Sequence, residues 1–313
     1  MQQSKYHALE RKTVDIGQYI SESLAETLRS TYAESFPDSM ASFVIDKSLI
    51  EQTLGLSSKV AGVRFMYGLR DVLNPNSVSI ILVPCTSRSV YSQNTMPLIS
   101  EQGYYDHLGT QYHLLETAEL IANFVQSQNT QDPQLVYKTI TRGNFIGRNS
   151  LVDLLKDQAC HSISYTLGLE EKTIQPILQA LDSNGELINN LYMERSQPCP
   201  PFCHDDSDCL ARTVVELFSG EEELNQFRQF RDDVLLHTPG GSYLYETYYF
   251  ISPIITNLIR KRVDGKQVFQ MLYTDKIMPF KQLMNTGETA KAVLFLKETL
   301  ISLAQEYQME LVE

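Results

Sequence analysis

Two stretches of the chain place apolar residues at every third or fourth position. The first contains Ile20, Leu24, Leu28 and Tyr32, and the second contains Leu114, Ala118, Ile121 and Val125. This spacing puts the apolar side chains on one face of a helix. A short apolar group follows each stretch, at residues 49–54 and 151–155, and predicts a second helix in each place.

The period of the pattern then changes from helical to alternating. Val63, Phe65 and Tyr67 alternate with Arg64 and Met66, and Ile163, Tyr165 and Leu167 alternate with Ser164 and Thr166. Alternation at every second residue is the signature of a strand. A turn and a second strand follow in both places, at Val78–Val83 and Thr173–Leu181. Each half of this region therefore predicts the order helix, helix, strand, strand.

Short sequence matches connect the two halves. Tyr6-His7-Ala8-Leu9-Glu10 matches Tyr112-His113-Leu114-Leu115-Glu116, an offset of 113 − 7 = 106. Phe43 with the segment 47–51 matches Phe145 with the segment 149–153, an offset of 102, and 63–69 matches 163–169 at an offset of 100. Because the matches keep their order, they indicate an internal duplication. We expect unit 1 at residues 1–100 and unit 2 at residues 101–205, with their strands in one small antiparallel sheet and the helices on one face.

The pattern differs again in residues 206–313. An apolar stripe runs from Ala290 to Tyr307 at helical spacing, and Glu221, Glu222 and Glu223 suit the start of a helix. We expect three to five helices here and no strand longer than a few residues, although Tyr243–Ile251 is rich in residues that favour strands. The predicted fold class is α+β: two duplicated helix-helix-strand-strand units, followed by a helical C-terminal domain.

Two resemblances rest on short motifs. Residues 1–205, with the ending Pro198-Cys199-Pro200-Pro201-Phe202-Cys203, resemble two copies of small uncharacterised proteins of Bacteroidetes. Residues 209–313 resemble the CFI-box family of bacterial C-terminal domains. That second resemblance rests on Cys209, Phe230-Arg231-Asp232 and Tyr248-Tyr249 followed by Ser252-Pro253, whereas Leu210 and Arg212 depart from the family's cysteine box. Both resemblances imply a bacterial protein and an architecture, and neither implies an activity.

Charge and composition limit the partners. The net charge of −12 opposes binding to nucleic acid, because phosphates must be neutralised by Lys and Arg. The N-terminal twenty residues contain no apolar core of a secretory signal. The most apolar run, Tyr248–Ile259, has about 12 residues, whereas a membrane span needs about 20. We therefore expect a soluble, cytoplasmic protein with reduced cysteines and no membrane span.

One cluster contains residue types that ligate metals. Cys199, Cys203, His204 and Cys209 lie within eleven residues and supply four ligands of the kinds that zinc prefers. Their spacing is not a standard zinc spacing, and Pro200-Pro201 favours an extended chain that separates Cys199 from Cys203. We therefore expect linker or structural cysteines and no cofactor, and zinc at these four residues is the alternative.

The sequence contains no constellation that specifies a reaction. There is no Gly-rich phosphate loop, no Gly-x-Ser-x-Gly motif and no His-Glu-x-x-His motif. Our first expectation is a non-catalytic interaction or scaffold protein with a protein partner. One alternative is a metal-binding or thiol-dependent protein that uses the Cys199–Cys209 cluster. Another is a small-molecule binder in the cleft between the two repeats. The sequence leaves the oligomeric state open.

Overall fold

The strands of the chain form two antiparallel sheets. The structure, a computed structural model, describes residues 12–37, 42–87, 95–98, 103–127, 140–171, 173–194, 196–199, 209–238 and 240–309. The strands are β1 Gln18–Ile20, β2 Ser42–Asp46, β3 Gly62–Leu69, β4 Val78–Ser87, β5 Thr95–Pro97, β6 Tyr104–Asp106, β7 Gln111–Tyr112, β8 Gly143–Gly147, β9 Ser162–Glu170, β10 Thr173–Leu181, β11 Tyr192–Glu194 and β12 Gln197–Cys199. Sheet A has the order β1-β11-β10-β9-β2, and sheet B has the order β12-β8-β3-β4-β6-β7 with β5 paired to β4.

The helices alternate with these strands at first and then follow without interruption. They are α1 Glu22–Ser35, α2 Lys47–Gly55, α3 Leu114–Ser127, α4 Arg148–Leu154, α5 Leu210–Phe218, α6 Glu221–Gln229, α7 Gly241–Lys261, α8 Gly265–Leu272, α9 Met278–Asn285 and α10 Thr289–Met309. Two π-helical segments, Phe230–Val234 and Tyr273–Ile277, follow α6 and α8. The predicted α+β class with a helical C-terminal region is thus confirmed.

The two halves exchange a strand. The sequence predicted no strand between the two helices of each half, but β2 and β8 lie there. β2 pairs with β9 of the other half, so that Ile45 lies opposite Ile163. β8 pairs with β3 of the first half, so that Ile146 lies opposite Val63. The single shared sheet that the sequence predicted is therefore two sheets, and each contains strands from both halves.

The strand register refines the alignment of the two halves. Ile45 and Ile146 hold equivalent places, an offset of 146 − 45 = 101, and Val63 and Ile163 do so at an offset of 100. The sequence match of Phe43 with Phe145 is therefore wrong by one residue. Asn144 is the residue that occupies the place of Phe43, since Asn144 pairs with Phe65 and Phe43 pairs with Tyr165. The domain boundaries at residues 100 and 205 stay predictions.

Close approach of backbones explains the glycines at the exchanged strand. Gly62 and Gly147 lie directly opposite each other in the β3–β8 pair. A Cβ atom on Gly62 would lie 2.2 Å from the carbonyl oxygen of Ile146, and one on Gly147 would lie 2.4 Å from that of Val14. Only glycine fits at these two positions.

Sheet B is an inner layer. All eight residues of β3 are buried, including Arg64 and Met66, which alternate with Val63, Phe65 and Tyr67. Val63, Phe65 and Tyr67 belong to the apolar core shared with sheet A, whereas Met66 belongs to the core shared with α3 and the C-terminal helices. Helix α1 covers the outer face of sheet A through Ala25 and Leu28.

Helix α7 is the centre of the C-terminal region. It packs against α3, α5 and α10, and its segment 243–251 is helical even though its residues favour strands, because burial decides the outcome. Six α-helices, α5 to α10, lie between residues 210 and 309, against the three to five that we expected; the π-helical segments divide longer helical runs. Within the described ranges, no helix combines the length and apolar character required to cross a bilayer.

A buried ion pair connects the sheets to this helical region. Arg142, immediately before β8, donates from Nε to Glu246 Oε2 at 2.5 Å and from Nη2 to Glu246 Oε1 at 2.6 Å. Glu246 lies in α7, and both side chains are at least nine-tenths buried, with exposures of 9% and 3%. The bidentate geometry fixes the position of α7 against sheet B.

Candidate functional site

The predicted metal cluster falls largely outside the described residues. Cys203 and His204 lie there, and Cys199 is placed only as the last backbone position of β12. Cys209 is described and precedes the first residue of α5. Within the described part of the chain, no three or more His, Cys, Asp or Glu side chains are grouped so that they could hold a metal. The expectation of linker cysteines, and its zinc alternative, both stay predictions.

The described cysteines differ in accessibility. Cys85 and Cys160 are buried, and burial raises the pKa of both thiols. Raised pKa values keep these thiols protonated and unreactive at neutral pH. Cys209 is only partly buried. Of the cysteines that the structure describes, it is therefore the one that solvent or a ligand can reach.

The side chains of α7 hold the start of α5. The Leu210 N–H donates to Ser252 Oγ at 2.6 Å, and the Ala211 N–H donates to Tyr248 Oη at 3.1 Å. The N–H groups of a first helical turn have no partner within their own helix. Two of them are satisfied here by residues of a neighbouring helix, which fixes α5 against α7.

Tyr248 also contacts the accessible thiol. Its Oη lies 2.6 Å from Cys209 Sγ, and either atom can donate. Burial, followed by the proximity of Cys209, raises the pKa of Tyr248 well above its usual value. The phenol is therefore neutral at physiological pH, and Cys209, Tyr248 and Ser252 form one connected polar group.

Arg231 forms a second polar group beside the first. Its Nε and Nη2 atoms donate to the two carboxylate oxygens of Asp232 at 2.6 and 2.9 Å, and Nη1 donates to Tyr249 Oη at 2.5 Å. Burial lowers the pKa of Arg231, but the bonds to Asp232 and the proximity of Tyr249 outweigh it, so the net direction is upward. Arg231 is permanently charged.

Both polar groups lie at the wall of one cavity, which we call the C-terminal cavity. Its volume is about 150 Å³, and it lies among α5, α6, α7, α10 and both π-helical segments. Its aliphatic wall includes Leu224, Leu235, Leu272, Leu296, Leu300 and Leu303. Its aromatic wall consists of Phe227, Phe230, Phe280, Tyr245, Tyr248 and Tyr249. An engineered protein cavity of similar size, about 150 Å³, stays dry and binds benzene.

The aromatic residues support one another. The rings of Phe227 and Phe280 stack at 5.7 Å, and Phe230 meets Phe280 edge to face at 5.3 Å. The Tyr245 and Tyr249 rings, which also line the cavity, lie 4.5 Å apart. Ring pairs of this kind stabilise the packing of the aromatic side chains.

The charged residues at the cavity all have one sign. They are Arg212, Arg228, Arg231 and Lys276. The first three pair with acids outside the lining: Glu216, Glu221 and Asp232. Lys276 is half-buried, and it has no ion-pair partner among the residues that the structure describes.

A separate polar cluster surrounds Asp106. Its carboxylate is fully buried and accepts hydrogen bonds from the N–H groups of Leu108 and Thr110 and from Arg70. His107 follows it, and burial lowers the pKa of this histidine. Because the carboxylate is occupied by the turn that it stabilises, we interpret this cluster as structural.

Sequence analysis identified only part of the cavity. Cys209 was considered as a metal ligand, and Arg231, Tyr248 and Ser252 were noted through the CFI-box resemblance. Phe280, Lys276 and Leu272 were missed because nothing in their local sequence distinguishes a cavity wall from a core. Comparison of the chain with protein-family models, with curated proteins and with solved structures gave no match.

Proposed function

We propose that this protein is a non-catalytic binding protein that holds a small apolar molecule in the C-terminal cavity. The observation that carries the proposal is the cavity itself: about 150 Å³ of space with an almost wholly apolar wall. The cavity is partly open to solvent, so water contacts its apolar wall when no ligand is bound. A ligand that covers this wall gains about 25 cal/mol for each Å² of apolar surface that it removes from water.

The local helix geometry supports a binding role. Both π-helical segments of the described chain border the cavity, through Phe230 and Arg231 on one side and Lys276 and Ile277 on the other. π-helical turns are rare in proteins and are frequent at functional sites. Their position at this cavity therefore supports a binding role.

The chemistry of the wall favours binding over catalysis. Its described lining includes neither histidine nor carboxylate, the groups that most often act as general bases. The thiol of Cys209 lies 2.6 Å from the hydroxyl group of Tyr248, which is a neutral phenol, and Cys209 is part of the cavity wall.

The proposed binding site is the C-terminal cavity and not the cleft between the two repeats. The described side chains between sheets A and B, including Phe65, Tyr67 and Tyr165, are almost completely buried and pack together. The expectation of a protein partner stays a prediction alongside this proposal.

The test uses ¹⁹F NMR of fluorobenzene with the full chain. We expect saturable line broadening at one site per chain. Thr299→Phe should abolish it, because Thr299 lines the cavity. Ser302→Phe is the matched control on the same helix, since Ser302 is exposed and outside the lining. Circular dichroism verifies that both variants fold, and Leu224→Phe is a second blocking variant. Equal broadening in Thr299→Phe and Ser302→Phe, or none in the wild type, would overturn the proposal.

A further inference from the structure

We infer that the ligand of the C-terminal cavity is a small monocarboxylate, whose apolar body occupies the cavity and whose carboxylate meets Lys276 and Arg231. This inference rests on the proposed function, and it adds the chemical class of the ligand.

The charged residues that line the cavity favour an anionic ligand. The chain has 38 acidic residues against 26 Lys and Arg, yet all four charged residues that line the cavity are basic. Because acids outside the lining pair with the three arginines, Lys276 supplies the net positive charge at this wall, which attracts anions and opposes cations. A neutral apolar ligand would require no such bias.

Only one of the four basic residues at the cavity lacks an acidic partner among the described residues. Arg212, Arg228 and Arg231 each have an acidic partner at 2.6 Å. Lys276 has none among the described residues, although its side chain is half-buried. One unpaired positive charge matches one negative charge on the ligand. This favours a carboxylate over a phosphate monoester, which carries about −1.5 to −2 at neutral pH.

The hydrogen-bonding capacity of Arg231 is a further argument. A guanidinium group has five N–H groups. Three of them bond Asp232 and Tyr249, which leaves two N–H groups of this lining residue for a ligand. A carboxylate accepts such donors as well as the ammonium protons of Lys276.

The cavity volume sets the size of the apolar body. A space of about 150 Å³ accommodates a group of roughly benzene size. A carboxylic acid with about six to eight carbons therefore places its apolar part between Phe280 and Leu300, with the carboxylate at the basic residues. Octanoate is a suitable probe, and octanamide is its neutral counterpart of almost the same shape.

The test measures displacement of fluorobenzene by each probe in the full chain. We expect octanoate to bind about tenfold or more tightly than octanamide, in line with the strength of hydrogen bonds to charged groups. In Lys276→Met the two probes should differ by less than about threefold, and in Lys276→Glu octylamine should displace better than octanoate. Lys266→Met is the matched control, because Lys266 is exposed and outside this cavity, and it should retain the wild-type ratio.

The outcomes separate the two proposals. If fluorobenzene binds but octanoate and octanamide displace it equally, the carboxylate inference is overturned and the proposed function stands. The same holds if neither displaces it, or if Lys276→Met keeps the wild-type ratio. If fluorobenzene itself does not bind, the proposed function fails, and this inference fails with it.

Discussion

Tyr248 shows how much of this site depends on a single hydroxyl group. It accepts the N–H of Ala211 and contacts the thiol of Cys209, while its ring forms part of the cavity wall. One side chain thus joins α5 to α7 and defines the space between them. The same residues that shape the cavity also cap a helix, so stability and binding are coupled at this point.

Replacement of Tyr248 by Phe should reduce stability. The variant keeps the ring but leaves the Ala211 N–H without its acceptor, which costs about 1–3 kcal/mol when the group is buried. Urea unfolding followed by circular dichroism measures the change. Tyr105→Phe is the control, because the Tyr105 hydroxyl bonds only the exposed Gln52 in the described chain, and that variant should change the unfolding free energy by less than about 0.5 kcal/mol. Equal effects of the two substitutions would contradict the capping role.

Buried tyrosines should make the protein sensitive to alkali. Burial raises the pKa of Tyr245 to about 12 and also raises those of Tyr248 and Tyr249. An unfolded tyrosine ionises near pH 10. The contribution of these tyrosines to the free energy of unfolding is therefore complete below pH 10. It is lost as the pH rises toward 12, because the unfolded chain releases protons that the folded chain retains.

The urea midpoint measured from pH 8 to pH 11.5 tests this expectation. It should fall above pH 10, and Tyr245→Phe should fall less steeply than the wild type. Identical slopes for the two proteins would show that Tyr245 ionises in the folded chain as it does in the unfolded chain.

The sequence identifies a cavity residue only where that residue belongs to a recognisable local motif. Ser252 and Tyr248 were noted because they belong to a short motif. Phe280 and Leu272 were not, because a cavity is created by packing between helices that are distant along the chain. No local pattern distinguishes such positions from ordinary core positions.

At the scale of elements, one buried ion pair fixes the position of α7 against sheet B, in addition to the apolar contacts between them. Arg142 and Glu246 make two hydrogen bonds in an almost completely buried setting. Burying both charges costs solvation energy, so the pair as a whole contributes little net stability, whereas removing one partner leaves an uncompensated charge.

Single and double substitutions of this pair should therefore differ. We expect Arg142→Met and Glu246→Leu each to destabilise the protein by about 3–5 kcal/mol, and the double variant to recover most of that loss. Lys156→Ala is the control, because Lys156 and its partner Asp153 are exposed, and its effect should stay below about 1 kcal/mol. Urea unfolding gives all four values. Additive losses in the double variant would contradict the proposed coupling.

Predicted and observed elements differed where strands were short. The sequence predicted the longer helices and the strands β3, β4, β9 and β10 from their periodicity. It missed β2 and β8, each five residues long. In β8 the glycines at both ends obscure the pattern. They are needed because the backbone of β3 lies close to Gly143 and the backbone of Val14 lies close to Gly147. Pairing between distant strands also determined the number of sheets, and no local pattern encodes that choice.

At the scale of the whole molecule, helices and sheets pack in successive layers. Helix α1 covers sheet A, sheet A packs on sheet B, and α3 with the C-terminal helices covers the other face of sheet B. Because β2 and β8 are exchanged, neither half completes its own sheet. The C-terminal helices that form the cavity therefore pack against sheet B, which contains strands from both halves.

Division of the chain should reveal this dependence. Residues 1–100 expressed alone should lack a cooperative unfolding transition, because β2 and β3 lose their partners β9 and β8. The same fragment expressed together with residues 101–313 should copurify as a folded complex. Cooperative unfolding of the isolated fragment 1–100 would show that it forms its own sheet and that the exchange is dispensable.

The most direct test of ligand binding in the C-terminal cavity is a titration of the leucine-methyl-labelled full chain with fluorobenzene, followed by NMR. The account predicts saturable shifts at one equivalent for Leu224, Leu300 and Leu303, which line the cavity. Leu167 and Leu178 in sheet A should not shift, because they lie in a separate core. Shifts confined to the sheet A leucines, or no shift at any leucine, would contradict it.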